Sequence, residues 1–312
     1  MIKLKFLTAN SSDVGVRLDK FLFKNFSQIP YSIIQKKIRT GSFKVNGLKK
    51  KASYKLNCLD KIYYKDNEAL AQNKVKKNNI NDDLKTILKK SIIFEDNEIL
   101  ILNKPYGIPV QGGTKINFSI DDALPFLCSE TKVLRLTHRI DKNTTGILII
   151  AKSKETAKNL TFLFRENNIK KTYWTLVEGS PKNDFGAIEE AVDKVKINKI
   201  EKMKIIKKKE KNSITYFKTL DHKKGLSLLE VYPKTGKTHQ IRVHLLSEGC
   251  PILGDKKYRL LKKKNNNFSD INTKMHLHAK SISFKLNNKD YLVEADMPPH
   301  FLHTLKLYNF IY

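Results

Sequence analysis

The chain has 312 residues, 40% of them apolar, with 60 Lys and Arg against 31 Asp and Glu for a formal net charge of +29. That is material for one or two domains of ~150 residues, and the charge implies a polyanionic partner, nucleic acid first. The rival explanation for the charge is a genome rich in lysine, asparagine and isoleucine. No run approaches the ~18 apolar residues of a membrane span, and the opening Met-Ile-Lys-Leu-Lys-Phe-Leu-Thr is too briefly apolar for a signal peptide. Cys58, Cys128 and Cys250 stand apart, so neither a zinc cage nor a disulfide framework is expected, and a cytoplasmic home is.

Residues 1–66 read as a small unit of their own. Leu18, Phe21 and Leu22 recur at helical spacing, and Ile33, Ile34 and Ile38 repeat the pattern in a second helix that runs out at Gly41. Phe43-Lys44-Val45 then reads as a strand with an Asn46-Gly47 turn, and Tyr54 to Tyr64 as another strand with Asp60 at its turn. Residues 1–75 carry 16 basic and 5 acidic side chains, a balance of +11. Residues 67–90 are polar and poor in apolar side chains, as suits a linker.

The second domain, 91–312, opens with two apolar runs around Glu95-Asp96-Asn97, a hairpin. It leaves the sheet at Asn103-Lys104-Pro105 through a loop ending in Gly112-Gly113, from which Lys104 could approach a phosphate. Residues 134–152 hold the densest signal. The polar stretch His138-Arg139-Ile140-Asp141-Lys142-Asn143-Thr144-Thr145-Gly146 feeds the apolar run Ile147 to Ala151, a strand buried on both faces. A rigid strand can hold one reactive side chain at its mouth, and Asp141 is the carboxylate there. Read alone, that Asp is as well explained by a turn entering a strand. Ser153 caps a helix whose stripe is Ala157, Leu160, Leu163 and Phe164. Residues 170–179 alternate as a strand, with Tyr173, Thr175 and Val177 on one face and Trp174 and Leu176 on the other. Residues 194–211 hold nine lysines and two glutamates, a basic hairpin or loop able to close on an RNA strand. In Gly236-Lys237-Thr238-His239-Gln240-Ile241-Arg242-Val243-His244 the glycine turns the chain, Thr238 can cap a helix, and Gly249 can end it.

These stretches resemble, in order, the motifs of the RluA-type pseudouridine synthases: the Asn-Lys-Pro opening, the His-Arg-Ile-Asp loop, the tyrosine strand and the Thr-His-Gln-Ile-Arg-Val-His segment. Pro251 to Tyr258, Leu277-His278-Ala279 and Met297 to Phe301 continue the likeness, which spans 91–301. The resemblance implies an α/β (α+β) catalytic fold with a mixed, largely antiparallel sheet and flanking helices. Arg17-Leu18-Asp19-Lys20-Phe21-Leu22 and the Ile38 to Gly47 stretch resemble the RNA-binding domain named after ribosomal protein S-four, although Leu59-Asp60 and Tyr31-Ser32 depart from its pattern.

By resemblance the chain converts uridine to pseudouridine without a cofactor or metal. Asp141 is then the catalytic carboxylate, Arg242 its cationic partner, and Tyr173 the aromatic that meets the base and accepts the C5 proton. Substrate contacts are implied for His138, Arg139, Thr144, Lys104, Lys237, His239 and Gln240. The Gly112-Gly113 loop favours the large-subunit rRNA branch, so 23S rRNA or an assembly intermediate is the expected partner of a monomer, with tRNA the alternative. Two other readings compete: a metal-dependent hydrolase built on His276/His278 or His239/His244, and an inactive RNA-binding protein of the same fold.

Overall fold

The computed structural model describes residues 4–26, 29, 31–65, 82–112, 118–127, 134–197, 200–206, 213–259 and 274–312. The chain divides at Asp82/Asp83 into two compact units.

In the first unit, α1 (Leu18–Asn25) and α2 (Tyr31–Thr40) bury Leu18, Phe21, Leu22, Ile34 and Ile38 against a three-stranded antiparallel sheet. The sheet order is β1 (Leu4–Thr8), β3 (Lys61–Lys65), β2 (Phe43–Val45). Asn46 and Gly47 both take positive φ, as a two-residue turn requires, and Val45 bonds Leu48 across it. The strand expected from Tyr54 begins only at Lys61. Before it the chain is gathered on the Asp60 carboxylate, which accepts from Asn46 Nδ2 at 2.7 Å, Asn57 N at 2.9 Å and the Tyr54 hydroxyl at 3.1 Å. A buried carboxylate satisfied in this way holds irregular backbone in place of a ladder.

Residues 82–90, read from composition as the end of a linker, form α3 (Asp82–Lys90) and bury Leu88 completely. The rest of the second unit is built around a ten-stranded sheet. β4 (Ile92–Glu95) and β5 (Ile99–Lys104) make the expected hairpin, and β7 (Thr145–Ala151) pairs β5 with every residue buried. β14 (Leu277–Leu286) follows, then β8 (Lys170–Glu178), β13 (Leu226–Pro233), β12 (Ile214–Lys223) and β9 (Phe185–Glu189). β6 (Arg135–Leu136) pairs β7, and β15 (Lys289–Glu294) pairs β14. Among the described residues all pairings are antiparallel except β7 with β14, so the sheet is mixed and largely antiparallel.

Alternation along β5 and β7 divides their side chains between two cores. Ile99, Ile101, Ile147 and Ile149 meet Leu160 of α5 (Lys154–Arg165), which Ser153 caps by accepting from Thr156 N. Leu100, Leu102, Leu148 and Ile150 meet Leu88, Leu124 and Ile120 of the short helix α4 (Ile120–Ala123) on the other side. β8 divides likewise: Leu176 packs on Phe301 and Leu305 of α7 (Pro299–Leu307), with Trp174 against the same cluster, while Tyr173 and Val177 face the opposite core.

Candidate active site

The loop between β6 and β7 is drawn tight by its own backbone, with Thr144 N bonded to Asp141 O at 3.1 Å. Gly146, the second residue of β7, has φ +98° and lies directly against β14, where a Cβ would overlap the Ala279 carbonyl and lie 2.8 Å from Ala279 N. No side chain fits there, so the glycine sets how closely the parallel strand approaches the loop.

Asp141 projects from this loop with its side chain 19% exposed, and Arg242 Nη1 lies 2.8 Å from its Oδ2. Arg242 comes from α6 (Gln240–Ser247), a helix that ends in a left-handed Gly249, with Cys250 N returning to Leu245 O. The guanidinium's other prongs are held by Asp255: Nε donates to Oδ2 at 2.6 Å and Nη2 to Oδ1 at 2.8 Å. Burial works against the arginine's charge, but Asp255 first and Asp141 second raise it well above the ordinary value. Asp255 is itself fastened by Lys257 N and Tyr258 N, and the Tyr258 ring lies 4.9 Å from the guanidinium.

Tyr173 crosses β8 into the same region, between Ala279 of β14 and Val231 of β13. Burial, and after it Asp141, push its phenol above the ordinary tyrosine value.

The remaining site residues separate into two groups. Arg139 and Lys237 are exposed and make no hydrogen bond or ion pair through their side chains among the described residues, so both are free to meet an anion. His239 sits close to Asp141, its Nε2 3.7 Å from Oδ2, and burial holds its ring neutral, down to about 4. The others are occupied within the protein. Lys104 is fully buried and donates to the carbonyls of Pro105, Ile108 and Lys142 at 2.8, 2.9 and 3.0 Å, so it reaches no phosphate. Burial pushes its ammonium down to about 7, with Asp141 pulling the other way. Gln240 is satisfied by Thr235, Lys237 N, Ile214 O and Thr215 and contacts no substrate from there. His138 accepts Ile149 N on Nε2 at 2.8 Å and stacks on Phe164, and burial, with Lys171, holds it down to about 3. It orders the loop and presents that nitrogen to no ligand. Thr144 is buried beneath the loop. The helix cap expected of Thr238 falls to His239, because Thr235 and Lys237 N close the turn on the Gln240 side chain.

Asp255 and Tyr258 lie in the Pro251 to Tyr258 stretch that continues the family likeness, but no role for either is legible in the sequence. Gly254-Asp255 reads as any turn, although Gly254 shares the constraint of Gly146: its φ is +77° and a Cβ would overlap the Lys274 carbonyl. Among the described residues no three His, Cys, Asp or Glu side chains gather as a metal requires. His276 Nε2 meets Thr304 and His278 Nδ1 meets Thr145, so that pair does not converge.

In the basic stretch after residue 191, β10 (Val192–Ile197) pairs antiparallel with β11 (Ile200–Ile205); 198–199 and 207–211 lie outside the described residues. Met203 and Ile205 pack with Val243, Leu246 and Tyr258, which seats the strand pair on the helix that carries Arg242.

Comparison with known proteins gives one answer. The profile of the RNA pseudouridylate synthase family matches residues 98–247. Ribosomal large subunit pseudouridine synthase C of Buchnera aphidicola subsp. Acyrthosiphon pisum is 35% identical over 300 residues, 94% of this chain and 94% of that one. The protein of the same name from Rickettsia bellii is 35% identical over 95% of this chain and 98% of its own. Among solved structures, human RNA pseudouridylate synthase domain containing 4 superposes with a TM-score of 0.62 at 26% identity, covering 73% of this chain and 96% of that one.

Proposed function

The chain belongs to the RNA pseudouridylate synthase family and is an isomerase acting on RNA, and from that premise we propose that it modifies uridines of 23S rRNA with Asp141 as its catalytic carboxylate. The substrate class rests on the names of the relatives, which act on the ribosomal large subunit. The observation that carries the catalyst is the single guanidinium prong offered to Asp141 while two more are held by Asp255.

Isomerisation cuts the bond from N1 to the ribose, turns the base, and rejoins it through C5. A carboxylate serves this by attack on ribose or base, and a fixed cation beside it stabilises charge without reorganising during the reaction. Tyr173 supplies a ring on which a flipped uracil rests. Because its phenol is raised, it holds its own proton at neutral pH and can accept the one from C5 only as that proton passes on. Arg139 and Lys237 are the phosphate contacts this reading retains. The first unit, with its basic exposed helices, grips structured RNA by backbone charge. The reaction needs no cofactor, and we assign none; the working form is a cytoplasmic monomer.

The test is release of tritium from C5 of labelled 23S rRNA transcripts, with no metal or nucleotide added. Native protein should release label, and Asp141→Asn should fold, bind RNA and release none. A native chain that releases none from any rRNA fragment would falsify the substrate assignment, and an active Asp141→Asn would remove the assigned catalyst.

A further inference from the structure

Two groups beside Asp141 have no part in the reaction as described so far. His239 stands in a left-handed conformation, φ 55°, at the start of α6, where a non-glycine residue carries strain. Its ring lies between two oxygens: Nδ1 is 2.8 Å from the Tyr258 hydroxyl and Nε2 is 3.7 Å from Asp141 Oδ2. The Tyr258 oxygen has a second neighbour, the Met203 amide of β11, at 3.2 Å.

The direction of these bonds follows from what each group can do. An amide N–H only donates, so the Tyr258 oxygen accepts from Met203. If His239 also donated through Nδ1, the phenolic proton would be buried with no acceptor, because Tyr258 is buried and its hydroxyl meets no other polar atom among the described residues. Folded proteins rarely leave such a donor unmade. The hydroxyl therefore donates to Nδ1, and the neutral ring carries its proton on Nε2, aimed at the carboxylate.

We propose that Tyr258 is a positioning residue that acts through His239: the line from Met203 N–H through the Tyr258 hydroxyl fixes an N–H donor beside Asp141, which closes on the carboxylate as it separates from the nucleoside. This rests on the reading of Asp141 as catalyst. The line begins in the basic strand pair, with Lys202 and Lys257 5.9 and 5.6 Å from the centre of the Tyr258 ring. An RNA strand that engages the strand pair thereby steadies the same tyrosine that orients His239.

Tyr258→Phe keeps the ring beneath Arg242 and removes the hydroxyl, leaving Nδ1 free to take the proton. Turnover in the tritium assay should fall about tenfold at neutral to alkaline pH, the scale of one hydrogen bond to a charged group, while KM for RNA moves less than about twofold. The loss should shrink as pH falls toward about 4, where this buried ring takes a second proton and bears N–H on both nitrogens. His239→Asn, too short to reach Asp141, should lose turnover at every pH. His239→Gln, which extends an amide further, should recover part of it, and this pair decides the matter if Tyr258→Phe does not fold. Native turnover in Tyr258→Phe, a loss independent of pH, or His239→Gln no better than His239→Asn overturns the proposal. Asp141→Asn run alongside separates the two ideas. Activity there defeats the catalyst, whereas an inactive Asp141→Asn beside a native Tyr258→Phe defeats the relay alone.

Discussion

Arg242 meets Asp141 through Nη1 alone, at 2.8 Å, because Nε and Nη2 are both bound to Asp255. The fork is locked from behind, and the prong that faces Asp141 is aimed by the carboxylate that holds the other two. Preorganisation of this kind lets a hydrogen bond act on developing charge without rearrangement.

Substitutions at this pair should divide activity from affinity. Arg242→Lys keeps the charge but cannot hold Asp255 with two nitrogens and reach Asp141 with a third. It is expected to lose turnover by about a hundredfold or more, with RNA affinity little changed. Asp255→Asn leaves a buried guanidinium short of one charge and should cost about 2 kcal/mol of stability as well as turnover. Denaturant melts and single-turnover tritium release check the two effects separately.

At Tyr173 the hydroxyl can be removed while the ring stays. Tyr173→Phe should bind RNA as the native protein does, yet slow tritium release by about a hundredfold or more if the phenol takes the C5 proton. Because burial and Asp141 raise this phenol, turnover by the native enzyme should climb from neutral toward alkaline pH. A flat profile together with an active Tyr173→Phe would leave the residue only its stacking role.

Lys104→Met removes three donors while keeping the apolar stem. The carbonyls of Pro105, Ile108 and Lys142 then lose their common partner, and about 2–4 kcal/mol of stability should go with it. Lys142 follows Asp141, so turnover should fall too. The salt dependence of RNA binding should not change, since this lysine meets no phosphate; a shallower slope would refute that.

Six histidines are held neutral by burial: His138 down to about 3, His239, His244, His276 and His278 down to about 4, and His300 below its ordinary value. Their folded values lie below the ordinary 6.5, so between those limits the unfolded chain binds more protons than the folded one. Stability is therefore retained above about 6.5 and lost as pH falls toward 4, by up to about 1.4 kcal/mol per pH unit for each ring. Chemical denaturation at a series of pH values should show this slope without RNA. A midpoint constant down to pH 4.5 or so would contradict it.

The first unit can be tested by charge within the intact chain. Lys20→Gln combined with Lys36→Gln alters exposed positions on α1 and α2. The slope of log affinity against log salt should drop by about one for each lysine that meets a phosphate. Melting of the protein should stay unchanged.

The parts of the fold that could be read from sequence were those where one period dominated: the apolar run of β7, the stripe of α5, the alternation of β8. Helix α3 was hidden because Leu84, Ile87 and Leu88 stand among lysines and aspartates, and burial of Leu88 shows only in three dimensions. β1 escaped notice because most of its residues are exposed and only pairing with β3 makes it a strand. At the site, Asp141 and Arg242 were marked by their motifs, but a lysine beside a proline looks the same whether it faces water or three carbonyls. Asp255 stood in a stretch of family likeness but without a role for a related reason, since a turn aspartate shows its partner only when a helix 13 residues earlier packs against it.

Residues 145 and 146 pair with 278 and 279 in the one parallel ladder, the pairing that Gly146 makes possible. Contacts so distant along the chain form late, after shorter loops have closed. On a ribosome, the strand that backs the Asp141 loop, β14, is made well over a hundred residues after the loop itself. Asp141 and Arg242 are both synthesised well before that, so a nascent chain carries its reactive groups without the wall that aligns them. Competence on RNA should therefore arrive only once β14 has been made, and fragments truncated before Leu277 should bind RNA through the first unit without modifying it.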